Sequence, residues 1–289
     1  MTSVLVAYDG SETARDALGY AARRVGPGGR LVVAHVVTTP TPYIDTPYYD
    51  QALRRARERG EEFMRDVTDL VGGVATELQV AEGPPARTLV QLARDTAAGE
   101  IVAGSRGHGA GAAALGSVSH ALLHEADRPL VILTRKAGRR ERRREETRAA
   151  AALPTEVVGY DGSAPARAAL DYALDRPHGR ITVVYAYDAP SSFLGAPYFG
   201  EALTDSQLRG RELLEQLQQD GLGADVELDL LEGPVVDALV RAAAARDADA
   251  IVVGSRGLGR FRGAFGSVSH ALLHEADRPL VVVPGPAPE

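Results

Sequence analysis

A glycine-rich segment and an aspartate after an apolar run are the residues whose types and spacing suggest chemistry. The segment begins at Gly104-Ser105-Arg106-Gly107 and ends at Gly116-Ser117, with Ser119 two residues further on. Glycines let backbone N–H groups converge on an anion, and a following helix N-terminus adds unpaired donors and a positive dipole end. The pattern predicts a site for a phosphorylated ligand, and the alternative is a plain Gly/Ala connector whose helix is capped by Ser117.

Asp9 follows the apolar run Val4–Tyr8 and precedes Gly10-Ser11. In this place its carboxylate can contact a ribose hydroxyl or a bound Mg²⁺. The alternative is an Asx turn, in which the carboxylate accepts a backbone hydrogen bond two residues on. We favour the ligand contact.

Several absences exclude whole classes of chemistry. The chain has no cysteine, which excludes disulfides, thiolate metal sites and cysteine nucleophiles. Its single lysine, Lys136, precedes Ala137, so a Walker-type Lys-Ser/Thr pair is absent. A net charge of −7, 5% aromatic residues and no tryptophan argue against nucleic acid as a partner.

Two histidine pairs have the spacing of helical metal ligands, namely His120 with His124 and His270 with His274. No cysteine or clear third ligand stands nearby, so surface or interface histidines are the favoured interpretation and we predict no metal site. No catalytic constellation is assembled in the sequence either. We therefore predict no catalytic residue and no enzyme.

An internal duplication places each of these residues twice. Gly116–Val131 and Gly266–Val281 are the same sixteen residues, and Asp9-Gly10-Ser11 recurs as Asp161-Gly162-Ser163. Recent gene conversion is the alternative explanation for the sixteen-residue identity. The second copy of the candidate site consists of Asp161, Gly254, Gly257, Gly266, Ser267 and Ser269.

Each copy alternates five short apolar runs with helical patterns, which predicts an α/β fold of two tandem doubly wound five-stranded parallel-sheet domains. For the strand order 3-2-1-4-5, a ligand binds beyond the carboxyl ends of strands one and four. The loops at Asp9 and at Gly104–Ser117 follow those two strands. The duplicated residues and the expected ligand crevice therefore coincide.

The charged run that follows Lys136 separates the copies. We predict domains at 1–136 and 155–289 and a solvated, charged linker at 137–154. Proline- and aromatic-rich stretches at Thr39–Tyr49 and Pro190–Phe199 are predicted to be covering loops. No apolar stretch is long enough for a membrane span and no leader is apparent, so we expect a cytoplasmic protein without a membrane partner.

These motifs together resemble the universal stress protein family, over nearly the whole chain, and in particular its tandem-domain members. The resemblance implies a Rossmann-like, adenine nucleotide alpha hydrolase-like fold and an ATP site, with Mg²⁺ expected beside the phosphates. It implies that Asp9 and Asp161 belong to this site, and that Val36 and Ala186, late in strand two, receive the adenine. It places the phosphates and ribose at Gly104, Gly107, Gly116, Ser117 and Ser119, and in the second copy at Gly254, Gly257, Gly266, Ser267 and Ser269.

One feature departs from the family's pattern. Its ATP motif usually has one residue more between the second glycine and the Gly-Ser pair than the eight that separate Gly107 from Gly116. The same shortening separates Gly257 from Gly266. AMP or another adenine nucleotide therefore stays open as the ligand.

The leading hypothesis is a regulatory stress-response protein that binds an adenine nucleotide. A slow ATPase using the same site and a nucleotide-free interaction module are the alternatives. The apolar last strands at Leu130–Leu133 and Leu280–Val283 need covering, so we expect a homodimer or an intramolecular pseudo-dimer of the two copies.

Overall fold

The computed structural model describes residues 3–25, 28–38, 46–65, 67–107, 115–145, 153–187, 196–255 and 266–286. The chain divides into two compact units, Met1–Glu145 and Glu146–Glu289. This division falls within the predicted linker at 137–154.

The first unit alternates strands and helices along the chain. Its strands are β1 (Ser3–Ala7), β2 (Arg30–Val37), β3 (Ala75–Glu82), β4 (Glu100–Gly104) and β5 (Leu130–Leu133). Its helices are α1 (Glu12–Val25), α2 (Thr46–Arg65), α3 (Val67–Leu70), α4 (Pro85–Asp95), α5 (Ser117–Glu125) and α6 (Arg135–Glu145).

The second unit repeats the plan without a counterpart of α3 or α6 among its described residues. Its strands are β6 (Thr155–Gly159), β7 (Arg180–Tyr187), β8 (Val226–Glu232), β9 (Ala250–Gly254) and β10 (Leu280–Val283). Its helices are α7 (Ala164–Leu174), α8 (Ala196–Gln219), α9 (Val235–Ala245) and α10 (Ser267–Glu275).

Both sheets have the strand order that the sequence predicts. The first unit runs β3-β2-β1-β4-β5 and the second β8-β7-β6-β9-β10, and the pairs within each unit are parallel. The central strands are buried on both faces, which explains their continuous Val, Ile and Leu runs. Because Ala7 pairs with Ala103, the ends of β1 and β4 lie side by side. The loops that follow these strands are therefore neighbours.

Residues next to the start of helix α1 determine where this helix begins. The Ser11 hydroxyl accepts a hydrogen bond from the Ala14 N–H at 3.3 Å, and the Ser163 hydroxyl caps α7 through Ala166 in the same way. Gly10 has a φ of +76° and Gly162 a φ of +80°, a backbone conformation that glycine adopts without strain. The turn from strand to helix thus follows from the Asp-Gly-Ser sequence itself.

The charged segment after β5 begins as an ordered helix that belongs to the first unit. Ala137, Gly138 and Glu141 of α6 are buried, and α6 packs along α1. The Arg142 guanidinium pairs with both Glu12 and Asp16, and Arg23 lies 3.1 Å from the Glu141 carboxylate. The predicted domain limits stay predictions, but in the structure residues up to 145 contribute to the first unit.

Of the helices in the described ranges, none is both long enough and apolar enough to cross a bilayer.

Candidate functional site

A cleft of about 490 Å³ opens at the carboxyl ends of β1, β2 and β4 in the first unit. This volume is in the range of small-molecule and cofactor sites. All seven residues predicted for the first copy line it: Asp9, Val36, Gly104, Gly107, Gly116, Ser117 and Ser119. The structure therefore brings together residues that are more than a hundred positions apart in the chain.

The Asp9 carboxylate lies at the floor of this arrangement, between two backbone segments. Its Oδ1 accepts a hydrogen bond from the Ser11 N–H at 3.0 Å, which is the Asx turn weighed from the sequence. A Cβ at Gly107 would collide with Oδ2. Only glycine at position 107 lets the loop approach the carboxylate this closely, and the turn leaves Oδ2 facing that loop rather than α1.

The glycine loop is closed at its base by one carbonyl group. The Ser105 carbonyl accepts hydrogen bonds from the Gly116 N–H at 2.7 Å and from the Ser119 hydroxyl at 2.9 Å. Ser119 is buried, and its hydroxyl also lies 3.0 Å from the Gly116 carbonyl. The Ser119 proton is thus used within the protein, so a ligand would meet only the acceptor side of this hydroxyl.

Two side chains that sequence reasoning did not assign to the site hold the loop against α1. The Arg106 carbonyl accepts hydrogen bonds from the Ser11 hydroxyl at 3.2 Å and from the Thr13 hydroxyl. Thr13 is buried at the start of α1. Ser11 stands in a duplicated block, but Thr13 belongs to no motif, and its partner is 93 positions away.

The N-terminus of α5 supplies the cleft's main electrostatic feature. Gly116 is the N-cap and offers no side-chain hydrogen bond, whereas Ser11 caps α1. Ser117 is the first residue of the helix, not its cap as in the connector interpretation. The first N–H groups of α5 thus lack a capping side chain, and the helix dipole favours negative charge there. Arg106, which also lines the cleft, adds positive charge.

Gly104 has a packing role in addition to its place in the cleft. An ideal Cβ at this position would lie 2.6 Å from the Thr13 Oγ1 and 2.9 Å from the Ala14 nitrogen. Glycine at the end of β4 therefore lets the first turn of α1 lie directly on the strand. This contact brings Thr13 within reach of the loop.

The side of the cleft at the end of β2 is formed by Val36, His35 and Thr38. The Nδ1 atom of His35 lies 2.8 Å from the Tyr8 carbonyl, which ties the end of β2 to the end of β1. Phe63 meets the same ring edge-on, with 5.5 Å between ring centres. Val36 thus supplies an apolar side chain beside a histidine that is held by the Tyr8 carbonyl.

The second unit repeats the turn and the helix start. The Asp161 Oδ1 accepts a hydrogen bond from the Ser163 N–H at 3.0 Å, Gly266 is the N-cap of α10 without a side-chain bond, and the Ser269 hydroxyl donates to the Gly266 carbonyl. Burial raises the pKa of the Tyr160 phenol beside Asp161, which keeps that phenol neutral.

The other predicted residues of the second copy have mixed outcomes. Gly254 ends β9, Ser267 begins α10, and Ala186 is half-buried in β7. A Cβ at Gly254 would lie 2.5 Å from the carbonyl carbon of Pro165, which stands where α1 has Thr13. Proline has no hydroxyl, so this position cannot donate to the loop. Gly257 lies outside the described residues.

Metal-ligating groups are sparse in the structure. Across the described ranges, no group of three or more His, Cys, Asp or Glu side chains is arranged to hold a metal ion. An Mg²⁺ ion in the cleft would therefore take its ligands from Asp9, water and the phosphates of a bound nucleotide, as is usual for this ion.

The fold and the cleft define a class: a tandem pair of doubly wound α/β units with a cleft at the switch point of the first sheet. The profile of the Universal stress protein family matches residues 1–134 and 156–284. The chain belongs to the universal stress protein family and contains two of its domains in tandem.

Individual relatives agree with this assignment. The chain is 27% identical to a universal stress protein of Mycolicibacterium smegmatis over 293 aligned positions, which cover 97% of this chain and 96% of that protein. A Thermus aquaticus protein, described as "Universal stress protein in QAH/OAS sulfhydrylase 3'region", is 35% identical over 133 residues, 45% of this chain and 97% of the relative. A universal stress protein crystal structure from Archaeoglobus fulgidus shares the fold, with a TM-score of 0.67, 21% identity and 98% of each chain covered.

Proposed function

We propose that this universal stress protein binds an adenine nucleotide in the cleft of its first unit and acts as a regulatory protein of the stress response in the cytoplasm. One observation carries the proposal: the uncapped N-terminus of α5, the Arg106 backbone and the Asp9 carboxylate converge on one cleft beside the apolar Val36. The resemblance to the family, many of whose members bind ATP, supports adenine as the base.

Each part of a nucleotide has a matching surface in this proposal. The phosphates meet the first N–H groups of α5, at Ser117 and Val118, where the helix dipole offsets their charge without a lysine. The Asp9 Oδ2 accepts a hydrogen bond from a ribose hydroxyl or coordinates Mg²⁺. Val36 packs against the adenine, and the shortened loop leaves ATP, ADP, AMP and cyclic AMP as candidates.

Binding without turnover is the expected activity. Among the described side chains that line the cleft, Asp9 is the one carboxylate, and its Oδ1 is already bound to the Ser11 N–H. A general base must reach the proton of an attacking water. In this proposal the Asp9 Oδ2 is taken by a ribose hydroxyl or Mg²⁺, which leaves no carboxylate oxygen for an attacking water, so we propose a binding protein and treat slow hydrolysis as incidental.

A thermal-unfolding titration tests the proposal. At a ligand concentration one hundred times Kd, binding to the folded state adds about 2.7 kcal/mol to the free energy of unfolding. Full-length protein with Mg-ATP, ADP, AMP or cyclic AMP should show a raised Tm for at least one of them. Val36→Trp, which fills the proposed adenine position, should abolish the rise.

Leu78→Trp is the matched control, because Leu78 is exposed on β3, away from the cleft. This variant should keep the full nucleotide-dependent rise. A nucleotide effect that survives Val36→Trp would place the ligand elsewhere, and no rise with any of the four nucleotides would favour an interaction module. The expected homodimer or pseudo-dimer stays a prediction, for which sedimentation velocity is the measurement.

A further inference from the structure

Exposed histidine pairs lie one helical turn apart on α5 and on α10. The ring centres of His120 and His124 are 4.9 Å apart and their planes are inclined at 59°. His270 and His274 repeat the arrangement, with 5.1 Å between centres and an inclination of 51°. All four side chains are exposed to solvent.

The separation of the rings matches what two ligands on one metal ion require. With metal–nitrogen bonds of about 2.0 to 2.1 Å, two imidazole rings sharing an ion have centres about 4.5 Å apart at a right angle and about 5.2 Å apart at a tetrahedral angle. The observed distances of 4.9 and 5.1 Å fall between these values. The helix thus holds each pair near the spacing of a chelate before an ion arrives.

We infer that each pair is a two-histidine site for a divalent transition metal: His120 with His124, and His270 with His274. Imidazole suits Cu²⁺, Ni²⁺ and Zn²⁺, and neighbours four apart on a helix lie on one face, as in established zinc-binding helices. Each ring supplies one nitrogen, and water fills the other positions. Cu²⁺ binds most tightly of the three, because it stands at the top of the affinity order for such ligands.

A Cu²⁺ titration of the untagged full-length chain tests this inference by calorimetry and electron paramagnetic resonance. The wild type should bind Cu²⁺ with a spectrum that shows coupling to two nitrogens. Removing one ring of each pair, in His124→Ala with His274→Ala, should weaken binding about tenfold or more, because the second ligand no longer benefits from its linkage to the first.

A composition-matched variant separates chelation from mere histidine content. Exchanging neighbours, as His124→Glu with Glu125→His and His274→Glu with Glu275→His, keeps every residue type but moves the rings off one helical face. This variant should lose the coupling to two nitrogens, because a carboxylate oxygen takes the place of one ring nitrogen beside His120 and His270, and His178→Ala should keep the wild-type spectrum. The exchanged variant should show the same nucleotide-dependent rise in Tm as the wild type. This test of metal binding is therefore independent of the proposed nucleotide binding.

Two results would overturn the inference. One is a spectrum of the exchanged variant that keeps the coupling to two nitrogens seen in the wild type. The other is a wild-type spectrum without two coupled nitrogens.

Discussion

At the scale of single residues, Thr13 is the side chain whose importance the structure reveals most directly. Its buried hydroxyl donates to the Arg106 carbonyl and so fixes the loop that lies against Asp9. Thr13→Val keeps the shape and removes one hydrogen bond worth about 1 kcal/mol, so nucleotide affinity should fall about fivefold. Isothermal titration calorimetry measures the change.

Thr76→Val is the matched control for Thr13→Val. The Thr76 hydroxyl also donates to a carbonyl, that of Val74 at 2.8 Å, but it lies on β3 outside the cleft. Its loss should leave nucleotide affinity at the wild-type value. Equal effects of the two substitutions would show that Thr13 acts on general stability and not on the loop.

Asp127 gives the fold a defined sensitivity to acid. Hydrogen bonds from Arg128, and secondarily from Arg94, lower the pKa of its carboxyl group to about 2. An unfolded aspartate has a pKa of about 3.9, so the unfolded chain takes up the proton first as pH falls. The stabilisation is therefore complete above about pH 4 and disappears between about pH 4 and pH 2.

The lowered pKa of Asp127 predicts that replacing this residue changes how steeply the free energy of unfolding depends on pH. Asp127→Asn should lower the free energy of unfolding at pH 6 and make it fall less steeply between about pH 4 and pH 2. Urea denaturation at a series of pH values provides the comparison. Parallel curves for the variant and the wild type would contradict a lowered pKa at this residue.

At the scale of elements, the two units build the same buried ion pair from different strands. Arg24 of α1 pairs with Glu100 at the start of β4, whereas Arg176, two residues after the end of α7, pairs with Glu156 of β6. Glu100 is paired across the sheet with Val4, and Glu156 with Ala250. The carboxylate thus occupies the same place between two strands in both units, although it comes from opposite members of the pair.

Because the glutamate stands on either of the two paired strands, moving it from β4 to β1 in the first unit should restore stability that is lost when Glu100 is removed. Glu100→Ala removes one partner of a buried pair and should lower the free energy of unfolding by about 3 kcal/mol. Adding Val4→Glu reproduces the arrangement of the second unit and should recover most of the loss. Chemical denaturation of the wild type, single and double variants measures this. A double variant less stable than Glu100→Ala would refute the equivalence.

A second prediction at this scale concerns Gly138 in helix α6. Packing and helix propensity have opposite effects on the stability of an alanine variant at this position. Alanine is the better helix former, but a Cβ at Gly138 would collide with the Asp16 carboxylate. Gly138→Ala should therefore lower the free energy of unfolding by about 1 to 3 kcal/mol. Gly19→Ala in α1 has room, with Arg23 Nη1 3.5 Å from its Cβ position, and should raise it by about 0.5 to 1 kcal/mol. Thermal unfolding of both variants decides whether α6 is packed in solution.

The elements also show which structure the sequence predicts and which it does not. Alternating apolar runs and helical patterns predict a doubly wound parallel sheet, because buried parallel strands have a strong compositional signature, and the strand order 3-2-1-4-5 taken for such a sheet places the cleft. Covering loops were predicted up to Tyr49 and Phe199, but α2 begins at Thr46 and α8 at Ala196. Pro47 and Pro197, the second residues of these helices, explain the difference, because proline is tolerated in a first helical turn.

The parts that the sequence does not predict depend on long-range contacts. Thr13 matters because of Arg106, and the order of α6 depends on Glu12, Asp16 and Arg23 of α1. At the positions equivalent to these α1 residues, the second unit has Ala164, Ala168 and Asp175. A charged run alone indicates only solvent exposure, and its partners become apparent when α1 and α6 lie side by side.

At the scale of the whole molecule, the two units are unequal as nucleotide sites under the proposed function. Both have the Asx turn and an α5 or α10 start without a capping side chain, but Pro165 replaces Thr13 and cannot hold the loop carbonyl. The first unit should therefore bind nucleotide more tightly than the second. The full-length chain should therefore bind nucleotide in two phases, because the second unit would fill only at higher ligand concentrations than the first.

Matched substitutions of the two aspartates measure this inequality. Asp9→Ala should remove the high-affinity phase from a calorimetric titration of the full-length chain with the nucleotide that raises Tm, because the backbone turn and the Oδ2 contact are lost together. Asp161→Ala makes the same change in the second unit and should leave that phase within about twofold of the wild type, since the sites are independent unless a coupling free energy links them. Equal losses in the two variants would show that the hydroxyl of Thr13 does not distinguish the units.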